Sequence, residues 1–297
     1  MPQAAANGIT IEYEAFGARD NPPLLLVNGL GSQLLGYAEE FCGMLAARGH
    51  YVIRFDNRDV GLSTKFDAAG PPDMEAIRAD RERGETPAVA YTLWDMADDA
   101  AGLLDALGIA RAHIMGMSMG GMIVQCIAIK HPQRVLSMTS IMSNTGNPNL
   151  PAASAETQAV FSKAVPAERD PYIEDAVARQ RVMGSPPPLF DEARVRHVAA
   201  ARFDRSFYPV GSDRQLAGII ATGDRREALR KLTTPTLVIH GAVDPLVLPE
   251  GGIDTAANIP GARLVILDGM GHDLPPGLWS RITDEVCAHT GAGAAGK

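Results

Sequence analysis

The chain alternates between two hydrophobic periods. Leu24-Leu25-Leu26-Val27 is a continuous apolar run, and Tyr51–Phe55 is nearly so. Runs of this kind predict strands buried on both faces. Ala112–Met117, Val135–Ile141, Thr236–His240 and Leu264–Leu267 read the same way, and Ile9–Phe16, which alternates only weakly, reads as an edge strand. Between them, apolar residues recur at helical spacing over Gln33–Ala47, Trp94–Leu107, Gly120–Lys130, Gly252–Ile259 and Leu278–His289, with Gly49, Gly108 and Pro132 as stops. Strand and helix in turn predict an α/β protein: a mostly parallel central sheet flanked by helices.

One stretch breaks the rhythm. From about Asn144 to Tyr208 no strand pattern occurs, and Pro166, Pro171, Gly184 and Pro186-Pro187-Pro188 punctuate helix-like segments. That is too long for a simple crossover. The expected organisation is a core over residues 1–143, a helical cap over 144–212 inserted after the fourth inner strand, and the rest of the core over 213–297. Residues 151–210 hold six of the sixteen aromatic residues, more than an even spread would place there, so the cap concentrates aromatic surface. The Gly/Ala-rich tail from Gly291 to Lys297 is expected to fray.

Composition narrows the function. With 27 basic and 35 acidic side chains the net charge is −8, and there is no basic run. Neither nucleic acid nor an anionic membrane surface suits such a chain. No apolar stretch approaches the roughly 20 residues of a membrane-spanning helix. Cys42, Cys126 and Cys287 are odd in number and far apart, which forms neither a disulfide framework nor a metal cluster. The opening MPQAAANGIT has neither the charged nor the apolar region of a signal peptide. A cytoplasmic protein is expected. The sequence has no H-E-x-x-H and no G-x-G-x-x-G, so no metal and no organic cofactor are expected.

The chemistry centres on Gly116-Met117-Ser118-Met119-Gly120. This G-x-S-x-G follows a strand and opens a helix, the setting in which a serine is displayed on a strained turn with glycines letting the backbones pass. Serine needs a base, and the base an orienting acid. His272, in Asp268-Gly269-Met270-Gly271-His272-Asp273, follows the last strand. Asp244, in His240-Gly241-Ala242-Val243-Asp244-Pro245, follows the strand before it. All three lie at one sheet edge in the order Ser…Asp…His. Asp268 and Asp273 are rivals for the acid, but they stand too near His272 in sequence to reach its Nδ1 easily. The oxyanion donors are expected to be the Met119 amide and the Leu30 amide in Asn28-Gly29-Leu30-Gly31-Ser32.

The blocks LLLVNGLGS, VIRFDNRDVGLS, IMGMSMGGMIVQ, PTLVIHGAVDPLVLP and GMGHDLP resemble the α/β-hydrolase superfamily over roughly residues 5 to 290. Within it, the chain is similar to capped bacterial serine esterases of the aclacinomycin methylesterase type. The resemblance implies Ser118 as nucleophile, His272 as base, Asp244 as orienting acid, and Leu30 and Met119 as oxyanion donors. Many relatives have His-Gly where this chain has Asn28-Gly29, so any support that histidine gives the loop is replaced or lost here. The expected function is hydrolysis of neutral, small to medium apolar carboxylic esters through an acyl-enzyme, with the cap's cations read as solvated. Met142, Phe203 and Phe207 are the candidate substrate contacts. A perhydrolase, a lactonase or a C–C bond hydrolase would use the same residues, and a non-catalytic ligand receptor is the rival of another class. Dehalogenases and epoxide hydrolases of this fold use an aspartate where Ser118 stands.

Overall fold

In the computed structural model, which describes residues 2–291, Leu25 and Val27 pack on one face of the central sheet and Leu24 and Leu26 on the other. This is why that strand is apolar at every position. The eight strands are β1 (Gln3–Ala6), β2 (Ile9–Phe16), β3 (Pro23–Val27), β4 (Tyr51–Phe55), β5 (Ala112–Met117), β6 (Val135–Ile141), β7 (Thr236–Gly241) and β8 (Arg263–Leu267). They lie in the order β1-β2-β4-β3-β5-β6-β7-β8. Every pairing is parallel except β1–β2 and β2–β4. β2 is therefore not the edge strand its weak alternation suggests, because β1 lies outside it.

Helices cover both faces. They are α1 (Glu39–Ala47), α2 (Met74–Glu82), α3 (Leu93–Ala106), α4 (Met119–Lys130), α5 (Ala155–Ser162), α6 (Arg169–Met183), α7 (Glu192–Arg205), α8 (Pro209–Thr222), α9 (Arg226–Leu229), α10 (Pro249–Ala257) and α11 (Trp279–Thr290). The α3 and α4 side chains join the face of Leu25, and those of α1 and α11 the face of Leu24. The single helix expected over 33–47 is split: a short 3-10 turn covers Leu34–Gly36 before α1 begins. Tertiary bonds cause the break. The Leu34 amide donates to Asp56 Oδ1 at 2.6 Å, and Arg54 donates to the Tyr37 carbonyl.

Between β6 and β7 the chain forms only helices, α5 to α9. The expected boundary at residue 212 falls inside α8, which runs on to Thr222. Ion pairs bind this segment to the core. Arg214 of α8 grips Asp59 at 2.8 and 2.9 Å, and Arg205 of α7 meets Asp56 at 2.7 Å. Of the expected C-terminal tail, residues 292–297 lie outside the described residues.

Candidate active site

The β5–α4 junction is forced by its glycines. A Cβ on Gly116 would overlap the Gly120 carbonyl, and one on Gly120 the carbonyl of Val27. Only a bare backbone permits so sharp a reversal. Ser118 takes up the turn at φ 54° and ψ −121°, a conformation that costs a non-glycine residue on the order of 1–3 kcal/mol. Its amide donates to the Ile141 carbonyl of β6 at 2.9 Å, which anchors the strained turn to the sheet. The side chain, half-buried, projects at the carboxyl edge above the α4 amino terminus.

β5, β6, β7 and β8 are consecutive in the parallel sheet, so the loops after them share that edge. Asp244 follows β7 and His272 follows β8. The structure brings them together with the serine: His272 Nδ1 is 2.7 Å from Asp244 Oδ2, and His272 Nε2 is 2.9 Å from Ser118 Oγ. A carboxylate only accepts, so Nδ1 carries the proton and Nε2 is left to accept from the serine hydroxyl. The other Asp244 oxygen accepts from the Leu246 and Val247 amides at 2.9 and 3.0 Å. Burial alone would raise this carboxyl. The facing His272 charge and hydrogen bonds from His240 and His272 outweigh it and hold the group at about 2.

His240 is a partner that sequence inspection assigns only to the strand. It is fully buried, donates from Nε2 to the Val247 carbonyl at 2.7 Å, and stands 3.5 Å from Asp244 Oδ2. Its spacing of four residues before Asp244 was the only available signal. The rival Asp273 is engaged elsewhere: it accepts from the Ser185 amide at 3.0 Å and from Gln180 Nε2 at 2.6 Å. Together with the His272 amide donating to the Met183 carbonyl at 2.8 Å, these bonds fix the histidine loop to the end of α6.

The loop after β3 runs against the serine: a Cβ on Gly29 would stand 3.3 Å from Ser118 Cβ. Leu30 is the next residue, and Met119 is the first of α4, whose leading amides have no acceptor within the helix. Support for this loop comes from polar side chains. Gln215 of α8 accepts from the Gly31 amide at 2.9 Å, Gln33 donates to the Arg202 and Ser206 carbonyls at 2.8 and 2.9 Å, and Asn57 donates to the Asn28 carbonyl at 3.1 Å.

Two cavities, of about 410 and 190 Å³, lie beneath the helical segment and share Leu30, Val165, Tyr172 and Arg202 in their walls. Ser118 and His272 do not line them, but Leu30 and Asp273 do. The expected substrate contacts divide. Phe207 lines the smaller cavity. Phe203 does not line either; it packs at a tilt against Tyr172 and Phe207 with centroids at 5.3 and 5.1 Å. Met142 is not a wall residue, because it is buried in the core layer that holds Met117 and Met270.

Residues 22–275 match the family model described as alpha/beta hydrolase fold. The chain belongs to that family. It is 30% identical to rhodomycin D methylesterase DauP of Streptomyces sp. (strain C5), covering 96% of each chain. It is 26% identical to 3-oxoadipate enol-lactonase 2 of Acinetobacter baylyi, over 89% of this chain and 86% of that one. Among solved structures, the meta-cleavage product hydrolase CumD of Pseudomonas fluorescens IP01 superposes with a TM-score of 0.77 at 19% identity, covering 98% of this chain and 97% of that one. That last likeness is one of fold.

Proposed function

We propose that this chain is a serine-dependent carboxylic ester hydrolase. The observation that carries the reading is the continuous relay from Ser118 Oγ through His272 to Asp244, at 2.9 and 2.7 Å. Ser118 attacks the ester carbonyl while His272 Nε2 takes its proton. Asp244 holds the imidazole in the tautomer that can do so and stabilises the imidazolium. The tetrahedral oxyanion is received by the Leu30 and Met119 amides. His272 returns the proton to the departing alcohol, and water then attacks the acyl-enzyme by the same route. The relative named as a methylesterase, alike over nearly the whole chain, supports an ester as the bond cleaved. A second reading, a cyclic ester as substrate, is favoured by the relative named as an enol-lactonase and requires no change in the relay.

Residues 144–212, with the remainder of α8 to Thr222, act as a cap that closes over small to medium substrates. The wall of the larger cavity includes the apolar side chains of Val165, Leu189, Phe190, Val195 and Val198, which suit apolar acyl or alcohol groups. The expectation that the substrate is wholly neutral rested on every cap cation being solvated. Arg202, whose Nε is sealed from solvent without an acceptor, departs from that. No helix among the described residues is long and apolar enough to cross a membrane. The three cysteines are buried and unpaired, which favours a reducing compartment, the cytoplasm.

The test is turnover of a short-chain p-nitrophenyl ester by purified Ser118→Ala. The rate should drop on the order of 10³- to 10⁶-fold with the melting temperature kept. Wild-type turnover in a folded Ser118→Ala protein would reject the mechanism.

A further inference from the structure

Charged side chains in the wall of the larger cavity have hydrogen-bond or ion-pair partners within the fold, with one exception. Asp175 accepts from Lys163 Nζ at 2.8 Å and Arg179 Nε at 2.5 Å. Asp273 is held by Gln180 and Ser185. Asp191 caps α7 through the Arg194 amide at 3.0 Å, and the Arg194 guanidinium reaches Glu40 at 3.4 Å and lies over the Trp279 ring. Arg202 is different. Among the described residues no carboxylate and no hydrogen bond reaches its guanidinium, and its Nε is sealed from solvent without an acceptor. Burial pushes its pKa down, opposed only in part by Tyr172. In the smaller cavity it is the only charged lining residue.

Its position gives the unpaired charge a meaning. Arg202 stands in the wall common to both cavities, together with Leu30 of the proposed oxyanion loop. Gly36 separates it from that loop: a Cβ there would overlap Asn28 Oδ1 and stand 3.4 Å from Arg202 Nη2. The main chain at Arg202 is fixed by Gln33, which donates to its carbonyl at 2.8 Å. The fold gains nothing from holding a half-buried guanidinium without a partner. A guanidinium presents a planar fork of donors that fits a carboxylate with two parallel hydrogen bonds.

We infer that Arg202 anchors a carboxylate carried by the substrate, so that this hydrolase acts on largely apolar esters bearing one acidic group. The inference rests on the Ser118-dependent ester hydrolysis proposed above and deepens it. Substrate binding supplies the missing counter-charge, and the apolar walls hold the chain between the acidic group and the reacting carbonyl. The anchor fixes how far the carbonyl can stray from Ser118.

Matched esters test this. Monomethyl adipate carries the acid on the acyl side and 4-acetoxybutanoate on the alcohol side. Their neutral counterparts have the acid replaced by a primary amide. Wild-type kcat/KM should favour the acidic member of at least one pair by about tenfold or more. Arg202→Gln should abolish that preference, mainly through KM, with the acidic ester losing at least about tenfold more than its amide counterpart, and Arg202→Lys should restore part of it. Equal use of both members in both pairs overturns the inference. So does a preference that survives Arg202→Gln, or an equal loss on acidic and neutral esters at an unchanged melting temperature. Binding of adipate itself, followed by calorimetry on Ser118→Ala and on Ser118→Ala/Arg202→Gln, should be at least about tenfold weaker in the second protein. This last measurement needs no turnover, so it separates failure of the anchor from failure of the serine mechanism.

Discussion

Asp244 is a buried carboxyl that nevertheless stays ionised, because His272, His240 and two amides face it and hold it at about 2. The sign follows directly. A group held at about 2 takes up no proton until the medium is far more acidic than neutral, so Asp244 is a carboxylate over the working range. Asp244→Asn should lower kcat by about 10²- to 10⁴-fold, since an amide allows the wrong imidazole tautomer. Residues at this scale were unevenly legible. Ser118, Asp244 and His272 stand out because each ends a strand in a glycine-bearing turn. His240 and Arg202 carry no such mark. The importance of His240 arises from where β7 places it, and that of Arg202 from partners it lacks, which only the packed structure reveals.

Helices α7 and α8 are tied to the core by ion pairs between segments remote in sequence. Asp59 and Arg214 are both buried, and the Asp59 carboxylate also accepts from Tyr91 Oη at 2.6 Å and the Phe66 amide at 2.8 Å. Burial would raise Asp59, but Arg214 and these donors hold it below the usual carboxylate range. Removing one partner leaves the other charge buried. Arg214→Met should therefore destabilise the protein by about 3–5 kcal/mol in urea unfolding, and the added change Asp59→Asn should recover part of that loss. Two fully additive losses would show that the residues do not act as a pair. Elements were most legible where burial dictates composition. Strands β3 to β7 were found nearly to the residue because both their faces are covered, so apolar runs have few alternatives. α2 escaped notice because its sequence, MEAIRADRE, buries only Ile77. β1, QAAA, is too short and too weakly apolar to announce a strand. The break before α1 depends on bonds from Asp56 and Arg54, neither of which lies in the helix.

Across the whole molecule the two ends of the sheet are specialised differently. The carboxyl edge carries the candidate site, and the opposite end of β5 carries a cluster of buried and half-buried histidines. His113, at the start of β5, shares a 2.8 Å hydrogen bond with Ser137 Oγ and meets the His50 ring edge-on at 6.2 Å. His50 bridges the Leu45 carbonyl and Thr290 Oγ1, and His289 of α11 contacts the Met138 carbonyl. Burial lowers all three, and His113, further opposed by its two neighbours, falls to about 4. For a histidine lowered on folding, the unfolded chain takes up the proton first. Its stabilising contribution is complete above about pH 6.5 and is lost as the pH falls toward the folded value. His113, His50 and His289 should together make the fold lose stability as the pH falls from about 6.5 toward 4. His113→Gln keeps a side chain able to bond Ser137 and removes the titration. Urea unfolding at about pH 7.5 and 4.5 should show a markedly smaller drop for His113→Gln than for wild type. An equal drop in the two proteins would place the acid sensitivity elsewhere. Because the cluster touches neither Ser118 nor His272, the variant should keep wild-type kcat/KM at neutral pH, which confines its effect to the stability of the scaffold.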